Sequence, residues 1–308
     1  MAVDVTVELV KPVGDPEASA DLAEDVFRQM ESSCTRFDPT SPLMLANAAG
    51  EEWHDVPPMC YAALAEAEFA HRMTLGRFDP RILRDLHALG YDRSLPFGSG
   101  PVDVASPKRI ARPTTFRFRA PWNPGFDPSR SAVRIGSVPV DLGGIGKGLA
   151  VRWASEALRG CADAFLVEAG GDLLTAGAGP SGDGWRAAVE DPRGGEDPVA
   201  VLDVTDVACA TSSIRLRSWQ VDGRRVHHIL DPLTGEPGGA GLLSVTVIGP
   251  DPAAAEVWSK TLFLAGRDGI GDAAQTLGLP ALWADVDGTL GVSAALSDAL
   301  LWRVSDGG

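Results

Sequence analysis

Cysteine is scarce in this sequence, and its spacing is more informative than its number. The four cysteines of the 308-residue chain are Cys34, Cys60, Cys161 and Cys209, and no two of them form a Cys-x-x-Cys pair. Structural zinc sites usually take closely spaced ligands, so this pattern argues against such a site. The pattern also fits reduced thiols that are packed inside a core.

Positive charge is also scarce. Lysine and arginine together number 27, against 42 aspartates and glutamates, which gives a formal net charge of −15. Nucleic-acid binding needs a positive field around the phosphates, so this charge argues against a nucleic-acid partner. The acidic residues are spread along the chain without an acidic tail, which favours solubility and indicates little else.

Long apolar runs are absent as well. No stretch approaches the roughly 20 residues that a membrane-spanning helix needs. The first ten residues, MAVDVTVELV, alternate like a strand and lack the basic start and apolar centre of a signal peptide. We therefore expect no membrane span and a cytoplasmic location. The sequence does not indicate an oligomeric state.

What the sequence does contain is a mixture of helical and strand patterns. Helical spacing is found in Asp21–Cys34, Pro58–Thr74, Gly146–Leu158 and Ala253–Leu264, and strand patterns in Ala164–Val167, Trp185–Val189 and Leu242–Ile248. Gly266 stands where the C-cap of the last of these helices is expected. The hairpin-like strand spacing predicts an α+β fold with mainly antiparallel sheets, helices packed on them, and one compact domain over residues 1–308.

The first segment that could carry chemistry is rich in glycine. Residues 140–148 read VDLGGIGKG, a strand that runs into a turn and then a helix. Glycines allow close approach of the backbone, and a helix N-terminus with a lysine can bind an anion. The segment matches neither the Walker A loop nor G-x-G-x-x-G. A phosphate site and an ordinary strand–helix turn both stay open.

Two later segments are equally ambiguous when each is taken alone. Residues 168–172, EAGGD, fit either a turn that brings backbone near a ligand or a plain hairpin turn. Residues 227–235, HHILDPLTG, hold two histidines that point to opposite faces of a strand. His228 could be a general base or a ligand, with Asp231 to orient it, or the pair could simply be exposed to solvent.

The helix near the C-terminus carries a possible ion pair and a threonine. Glu256 and Lys260 stand four residues apart, as in an ordinary surface ion pair. Thr261 lies on a largely apolar helix, where a hydroxyl usually bonds back to a carbonyl of its own helix.

The order of these segments resembles that of the FAD:protein FMN transferase (ApbE-like) family. The matching elements, over roughly residues 2–300, are Ser41 to Asn47, Gly76-x-Phe78-Asp79-Pro80, Leu89-Gly90-Tyr91, Asp141-Leu-Gly-Gly-x-x-Lys-Gly148, Ala169-Gly-Gly-Asp172, Ala210-Thr-Ser212, His227-His-Ile-x-Asp-Pro-x-Thr-Gly235 and Thr261. The element that begins at His227 is the most specific of them. The resemblance implies an ApbE-like (T-fold-type) fold.

The resemblance also implies an activity. Such proteins bind FAD, split its pyrophosphate with Mg²⁺, and move FMN onto a threonine hydroxyl of a partner protein with release of AMP; some hydrolyse FAD to FMN and AMP. On this basis His228 assists the acceptor hydroxyl, and the Gly144 carbonyl and Thr261 are metal ligands. The residues expected to bind FAD are Arg77, Phe78, Asp79, Asp141, Lys147, Gly170, Gly171, Asp172 and Ile229.

The sequence departs from the family pattern at the expected metal site. The family usually has an aspartate four residues before the threonine and an acidic or small residue just before it, whereas this chain has Val257 and Lys260. Valine cannot bind a hard cation. Glu256 is one residue away, and one helix step turns a side chain by about 100°. The Lys260 ammonium could take the place of the metal, or could pair with Glu256 outside the pocket.

Smaller departures are found elsewhere. Glu168, Arg152 and Ser213 stand where the family usually has Asn, Asp and Gly. The function expected from the sequence is FMN transfer. The alternatives are FAD binding without transfer, as in a carrier or sensor, and FAD pyrophosphatase activity.

Overall fold

The computed structural model describes residues 3–97, 102–104 and 120–304. Its contacts divide the chain into two compact units. Unit 1 comprises Met1–Gln29, Ile145–Ser213 and Ala240–Gly308, and unit 2 comprises Met30–Gly144 and Ile214–Gly239.

The helices and strands of the described residues are as follows. The helices are α1 (Pro16–Cys34), α2 (Pro42–Ala49), α3 (Pro58–Met73), α4 (Leu83–Ala88), α5 (Gly146–Ala157), α6 (Pro252–Phe263) and α7 (Gly266–Leu277). The strands are β1 (Val5–Pro12), β2 (His54–Asp55), β3 (Asp103–Val104), β4 (Gly125–Asp127), β5 (Ala132–Arg134), β6 (Ala162–Ala169), β7 (Asp172–Ala176), β8 (Arg186–Val189), β9 (Ala200–Asp203), β10 (Ala208–Ser213), β11 (Ser218–Val221), β12 (Arg224–His227), β13 (Leu230–Asp231), β14 (Glu236–Pro237), β15 (Leu242–Gly249), β16 (Ala281–Asp285), β17 (Leu290–Val292) and β18 (Leu300–Arg303).

Unit 1 is built on a seven-stranded sheet in the order β1-β6-β7-β10-β15-β16-β17. Each neighbouring pair in this sheet is antiparallel. Helix α6 packs on β10 and β15, and α5 packs on β6, β7 and α6. Alternation along the strands places the apolar side chains of one face under these helices, which explains why α5 and α6 bury most of their residues.

The hairpin between β6 and β7 is closed by two glycines. Ala169 pairs with Asp172, which leaves Gly170 and Gly171 as the turn, with φ of 57° and 88°. Two successive positive φ values define the turn type that suits the twist of a two-residue hairpin, and glycine adopts it without strain. The turn therefore sets the register that makes Asp172 the first residue of β7.

The close approach of α5 to α6 depends on another glycine. A Cβ atom placed on Gly148 would lie 2.5 Å from the Pro252 carbonyl oxygen and 2.6 Å from the Ala253 Cα. These are backbone atoms, which cannot move aside as a side chain can. Arg152 on α5 reinforces the contact through a bidentate pair with Asp251, at 2.6 Å for each bond. Asp251 also caps the N-terminus of α6.

A second sheet of unit 1 has the order β18-β9-β8, with antiparallel pairs. Its inward side chains join those of the larger sheet in one apolar core, which includes Trp185, Leu202, Ile248, Leu282 and Leu296. Burial of these side chains supplies the main stabilisation of this region.

Unit 2 is formed by small sheets and by helices α2, α3 and α4. The sheets have the orders β2-β5-β4, β12-β11-β3 and β13-β14. The β11–β3 pair is parallel, and the other pairs are antiparallel. Its core gathers around Trp219, which packs with Leu86, Tyr91 and Val226. The indole N–H of Trp219 donates to the Leu89 carbonyl over 2.7 Å, so its one polar group is satisfied.

The predicted antiparallel sheets with helices packed on them are confirmed. The helices predicted over 58–74, 146–158 and 253–264 begin and end within one residue of the observed bounds. The prediction for Gly266 is wrong, because Leu264 caps α6 and Gly266, with φ of 71°, begins α7. The single domain over 1–308 stays a prediction. In the described ranges, every helix is too short or too polar to cross a membrane.

Substitution of Gly148 by alanine should destabilise unit 1. The added methyl group would force α5 away from the backbone of α6, and we expect the free energy of unfolding to fall by about 2 kcal/mol or more. Urea unfolding followed by circular dichroism measures this change.

The matched control is Gly269→Ala in α7. Here a Cβ atom meets its nearest neighbour, the Ala265 Cβ, at an ordinary 3.7 Å. Because alanine favours a helix over glycine by up to about 1 kcal/mol, this variant should be as stable as the parent or slightly more so. Equal stability of the two variants would contradict the close approach of the helices.

Candidate active site

Four charged side chains of unit 1 form a buried ion cluster, which consists of Lys147, Asp172, Glu256 and Lys260. Lys147 Nζ donates to Asp172 Oδ2 and lies 3.5 Å from Glu256 Oε1. Lys260 Nζ lies 3.0 Å from the same Glu256 oxygen. The exposed fractions of the side chains are 0% for Asp172, 1% for Glu256, 11% for Lys147 and 15% for Lys260. The two ammonium groups therefore share one carboxylate oxygen that has almost no contact with solvent.

The cluster is assembled from three elements. Lys147 lies in the first turn of α5, and Asp172 begins β7 directly after the Gly-Gly turn. Glu256 and Lys260 stand one turn apart on α6, so their side chains meet on one face of that helix. The second oxygen of Glu256 accepts the backbone N–H of Gly148 at 2.8 Å. The N-terminal amide of α5 is therefore bound by a carboxylate of the protein itself.

Burial and charge act differently on the two carboxyl groups. Burial raises the pKa of Asp172 to about 6, although the Lys147 ammonium opposes the shift. Burial would also raise the pKa of Glu256, but Lys260, Lys147 and the Gly148 N–H outweigh it and lower that pKa to about 2. Burial lowers the pKa of Lys260, and Glu256 opposes this effect. Glu256 is thus the firmly ionised centre of the cluster.

Asp172 retains one hydrogen-bonding atom without a partner. Its Oδ1 is fully buried and accepts no hydrogen bond within the described residues. A buried oxygen of this kind costs free energy unless something donates to it. The hairpin turn thus places a fully buried carboxylate at the first position of β7.

On α6, Thr261, the side chain expected to bind a metal, and its neighbours make other contacts. Thr261 Oγ1 donates to the Val257 carbonyl at 2.9 Å, the back-bond that is usual for threonine in a helix. Val257 is fully buried. Ser259 donates to the Glu256 carbonyl and contacts Ser212 Oγ at 2.7 Å. Position 257, one turn before Thr261, therefore offers a buried valine and no carboxylate.

In unit 2, Asp141 is buried against an arginine. Arg36 Nε lies 3.4 Å from Asp141 Oδ1, and both side chains are less than a tenth exposed. The Arg36 guanidinium lies over both the Phe37 and the Tyr91 ring, with its central carbon 4.3 and 4.1 Å from the ring centroids. Cation–π contacts of this kind fix the guanidinium plane. Gly144 is half-buried in the turn that follows Asp141.

The segment that holds Arg77, Phe78 and Asp79 is held by side-chain bonds. The Phe78 N–H donates to Thr74 Oγ1 at 3.0 Å, and His71 Nδ1 lies 2.9 Å from the Phe78 carbonyl. Asp79 is buried and binds Arg81 bidentately, at 2.9 and 2.8 Å. Arg77, in contrast, is exposed. The structure therefore brings Phe78 and Asp79 into the interior of unit 2 and leaves Arg77 in solvent.

The two histidines of the His227–Gly235 element have different surroundings. His228 is half-buried, and its Nδ1 lies 3.2 Å from the Arg217 carbonyl. A carbonyl cannot donate, so Nδ1 carries the proton and Nε2 carries the lone pair of the neutral ring. Burial lowers the pKa of His227 to about 4, with a smaller contribution from Arg225. Ile229 is buried.

Asp231 does not take the orienting role that the sequence indicated. Its Oδ1 accepts the Leu233 N–H at 2.8 Å, and its carbonyl accepts the Gly235 N–H at 2.7 Å. Asp231 therefore shapes the turn of the Asp-Pro-x-Thr-Gly segment, while the Arg217 carbonyl orients His228.

Comparison with known proteins identifies the family of this chain. The family model described as "ApbE family" matches residues 1–283. The chain belongs to the ApbE family. The FAD:protein FMN transferase of Treponema pallidum (strain Nichols) is 28% identical over 283 residues, which cover 86% of this chain and 76% of that protein. The protein of the same name from Klebsiella pneumoniae (strain 342) is 33% identical over 131 residues, which cover 42% of this chain but only 37% of that protein.

Solved structures agree on the fold. The ApbE protein of Thermotoga maritima MSB8 superposes on this chain with a TM-score of 0.78 at 27% identity. The superposition covers 96% of this chain and 95% of that protein's chain. The flavin transferase ApbE of Vibrio cholerae superposes with a TM-score of 0.76 at 20% identity and covers 97% of this chain and 96% of its own. The ApbE-like fold expected from the sequence is confirmed.

The residues at the expected metal site do not fit a divalent cation. Within the described ranges, no group of three or more His, Cys, Asp or Glu side chains could hold a metal ion. Mg²⁺ requires several oxygen ligands in near-octahedral geometry. The carboxylates of the ion cluster, Asp172 and Glu256, are already paired with ammonium groups. Thr261 as a metal ligand, together with Gly144, therefore stays a prediction that the surrounding charges do not favour.

The structure also corrects the prediction for Glu256 and Lys260. The spacing indicated a surface ion pair, but the pair is buried and joined to Lys147. A spacing of four residues predicts that two side chains meet, and says nothing about which face of the helix is covered. The role of Arg36 was missed as well, because its partners Tyr91 and Asp141 are distant in sequence.

Substitution of Glu256 by glutamine should strongly destabilise the protein. The variant leaves two buried ammonium groups with one carboxylate, and loss of one partner from a buried pair costs about 3 kcal/mol or more. The double variant Glu256→Gln/Lys260→Met removes one charge of each sign and should recover part of this loss. Urea unfolding of the parent, of Glu256→Gln, of Lys260→Met and of the double variant gives the coupling free energy. Purely additive effects would contradict a buried pair.

The low pKa of His227 predicts acid sensitivity with a definite sign. The unfolded chain binds a proton near pH 6.5, whereas folded His227 stays neutral down to about pH 4. The free energy of unfolding is therefore unaffected by His227 above pH 6.5 and falls as the pH falls from 6.5 toward 4. Because His227 keeps some exposure, we expect the total loss to be about 2 to 3 kcal/mol.

Urea midpoints at pH 7.5 and 5, for the parent and for His227→Gln, test this prediction. The variant should lose less stability than the parent between these two values. Equal losses in the two proteins would show that His227 is not the group responsible.

Proposed function

We propose that this protein transfers FMN from FAD to a threonine hydroxyl of a partner protein and releases AMP. The proposal is supported by the family match over residues 1–283 and by the name of the relatives, FAD:protein FMN transferase. The chain matches several of these relatives over only 37% of their length, so their activity is assigned to this chain as a proposal.

The transfer is a phosphoryl-type displacement. The threonine oxygen attacks the phosphorus of the FMN half of FAD, the bond from that phosphorus to the bridging oxygen breaks, and AMP leaves with the electron pair. Such reactions depend mainly on alignment and on the stabilisation of phosphate charge. In unit 1 we assign Lys147 to the binding of the FAD phosphates. We also assign Gly170, Gly171 and Asp172, which form and follow the hairpin turn, to the binding of FAD.

The observation that carries the proposal is the tautomer of His228. Because Nδ1 donates to the Arg217 carbonyl, Nε2 holds the lone pair that can accept the proton of an attacking hydroxyl. In unit 2 we assign Phe78, Asp79, Asp141 and Ile229 to the binding of FAD, with the exposed Arg77 at the margin.

Magnesium enters the proposal only as an expectation from the family. The residues of this chain do not fit the ion, so no step is assigned to it. Two other functions are kept as outcomes of the experiment: FAD binding without transfer, which the absence of a carboxylate at Val257 favours, and hydrolysis of FAD to FMN and AMP. The cytoplasmic location and the identity of the acceptor stay predictions.

Loss of the His228 base should abolish transfer and spare binding. With FAD and a peptide that carries the acceptor threonine, His228→Asn should lower the rate of AMP release about 100-fold or more, the usual range for a general base. The affinity for FAD, measured by quenching of flavin fluorescence, should stay within a few-fold of the parent.

The matched control is His54→Asn, which changes a half-buried histidine on β2 and should keep the parental rate. AMP release without flavin on the peptide would indicate hydrolysis. FAD binding without AMP, with or without added Mg²⁺, would indicate a binding protein. Absence of FAD binding under every condition would exclude all three functions.

A further inference from the structure

The ion cluster of unit 1 differs from an ordinary buried salt bridge in its composition. It pairs two ammonium groups with two carboxylates, and one oxygen, Glu256 Oε1, faces both lysines at 3.5 and 3.0 Å. Both lysines keep some exposure, 11% and 15% of their side chains, whereas the carboxylates have almost none. The lysine side chains are therefore the members of the cluster that keep contact with solvent.

Charge counting connects this arrangement with Val257. A carboxylate at that position together with a divalent cation would contribute one net positive charge to the site. Val257 and Lys260 together contribute the same net charge, since valine is neutral and the lysine carries one positive charge. The replacement therefore keeps the formal charge of these two positions without a metal, whereas the cluster as a whole pairs its two lysines with the carboxylates of Glu256 and Asp172.

The charges of the cluster also disfavour a bound cation. A divalent ion near Glu256 would face two ammonium groups whose counter-charges are already engaged, and like charges at such short distance are strongly disfavoured in a buried site. Thr261 Oγ1 is bonded to its own helix, and Val257 offers no oxygen.

We propose that the ammonium group of Lys260, held by Glu256 beside Lys147, takes the place of a divalent cation, so that this protein binds the pyrophosphate of FAD without metal. The inference rests on the proposed function, because it names FAD as the ligand. A lysine is a compact charge with three donors, which suits it to phosphate oxygens. Lys147 completes a two-lysine clamp, and Glu256 keeps both ammonium groups in position.

Metal-free FAD binding tests this proposal. The affinity of the purified protein for FAD is measured by flavin fluorescence in excess EDTA and again in millimolar MgCl₂. We expect the two affinities to agree within about twofold, and Lys260→Met to weaken binding about tenfold or more in EDTA, as expected for loss of one charge-assisted contact. Lys11→Met, which removes a largely exposed lysine of unit 1, should leave the affinity unchanged.

The double variant Glu256→Gln/Lys260→Met separates the lysine from its counter-ion. If the ammonium contacts the ligand, the double variant binds as weakly as Lys260→Met. If it recovers the parental affinity, Lys260 only masks the charge of Glu256, and the proposal is wrong. A parent that needs Mg²⁺ to bind FAD would also overturn it. A parent that binds FAD in neither buffer would instead show that the proposed function has failed.

A reverse exchange gives an independent measurement. The variant Val257→Asp/Lys260→Ser restores a carboxylate and removes the ammonium group, and we expect its affinity for FAD to be higher in MgCl₂ than in EDTA. Circular dichroism confirms that the variant is folded before it is used. A folded variant that is indifferent to Mg²⁺ contradicts the charge exchange, and if the variant does not fold, the parent and the Lys260→Met variant decide the question.

Discussion

The neutralisation of Glu256 is the constraint that fixes the arrangement of α5, α6 and β7 in unit 1. An ionised carboxylate without solvent is tolerated only when charges and hydrogen bonds surround it. Here the partners are the Gly148 amide, Lys147 and Lys260. Since Lys147 also binds Asp172, the same network connects α5, α6 and β7. Displacement of any of these elements would leave a charge unpaired, so the cluster specifies how the two helices lie on the sheet.

The same network limits the chemistry that the site can perform. A cluster whose carboxylates are already paired with lysines is a poor cation site, and the lysine side chains are the ones that keep some exposure. The short distance between α5 and α6, which Gly148 permits, brings the glycine-rich turn and the C-terminal helix together. The proposed binding of the FAD pyrophosphate would therefore use the same four side chains that hold α5, α6 and β7 together.

The sequence predicted helices α5 and α6 and strands β6, β8 and β15 of unit 1, because apolar periodicity and turn residues are local signals. It also predicted a turn at Gly170 and Gly171 and the glycine-rich entry to α5, but it did not predict α7. The resemblance to the ApbE family was correct over nearly the whole chain. The surroundings of the candidate residues were harder to predict. The orientation of His228 by the Arg217 carbonyl and the pairing of Arg36 with Asp141 join residues whose contact no local pattern records.

The Glu256–Lys260 pair shows which features follow from the local sequence and which depend on tertiary packing. The sequence by itself determined that the two side chains meet, because a spacing of four places them on one helix face. It also determined that position 257 offers no oxygen to a metal. Only the tertiary structure decided that this helix face is buried, that Lys147 and the Gly148 amide converge on the same carboxylate, and that Asp172 lies beside them. The reason is physical: spacing along a helix fixes local geometry, whereas burial and charge partners depend on packing between elements far apart in the chain.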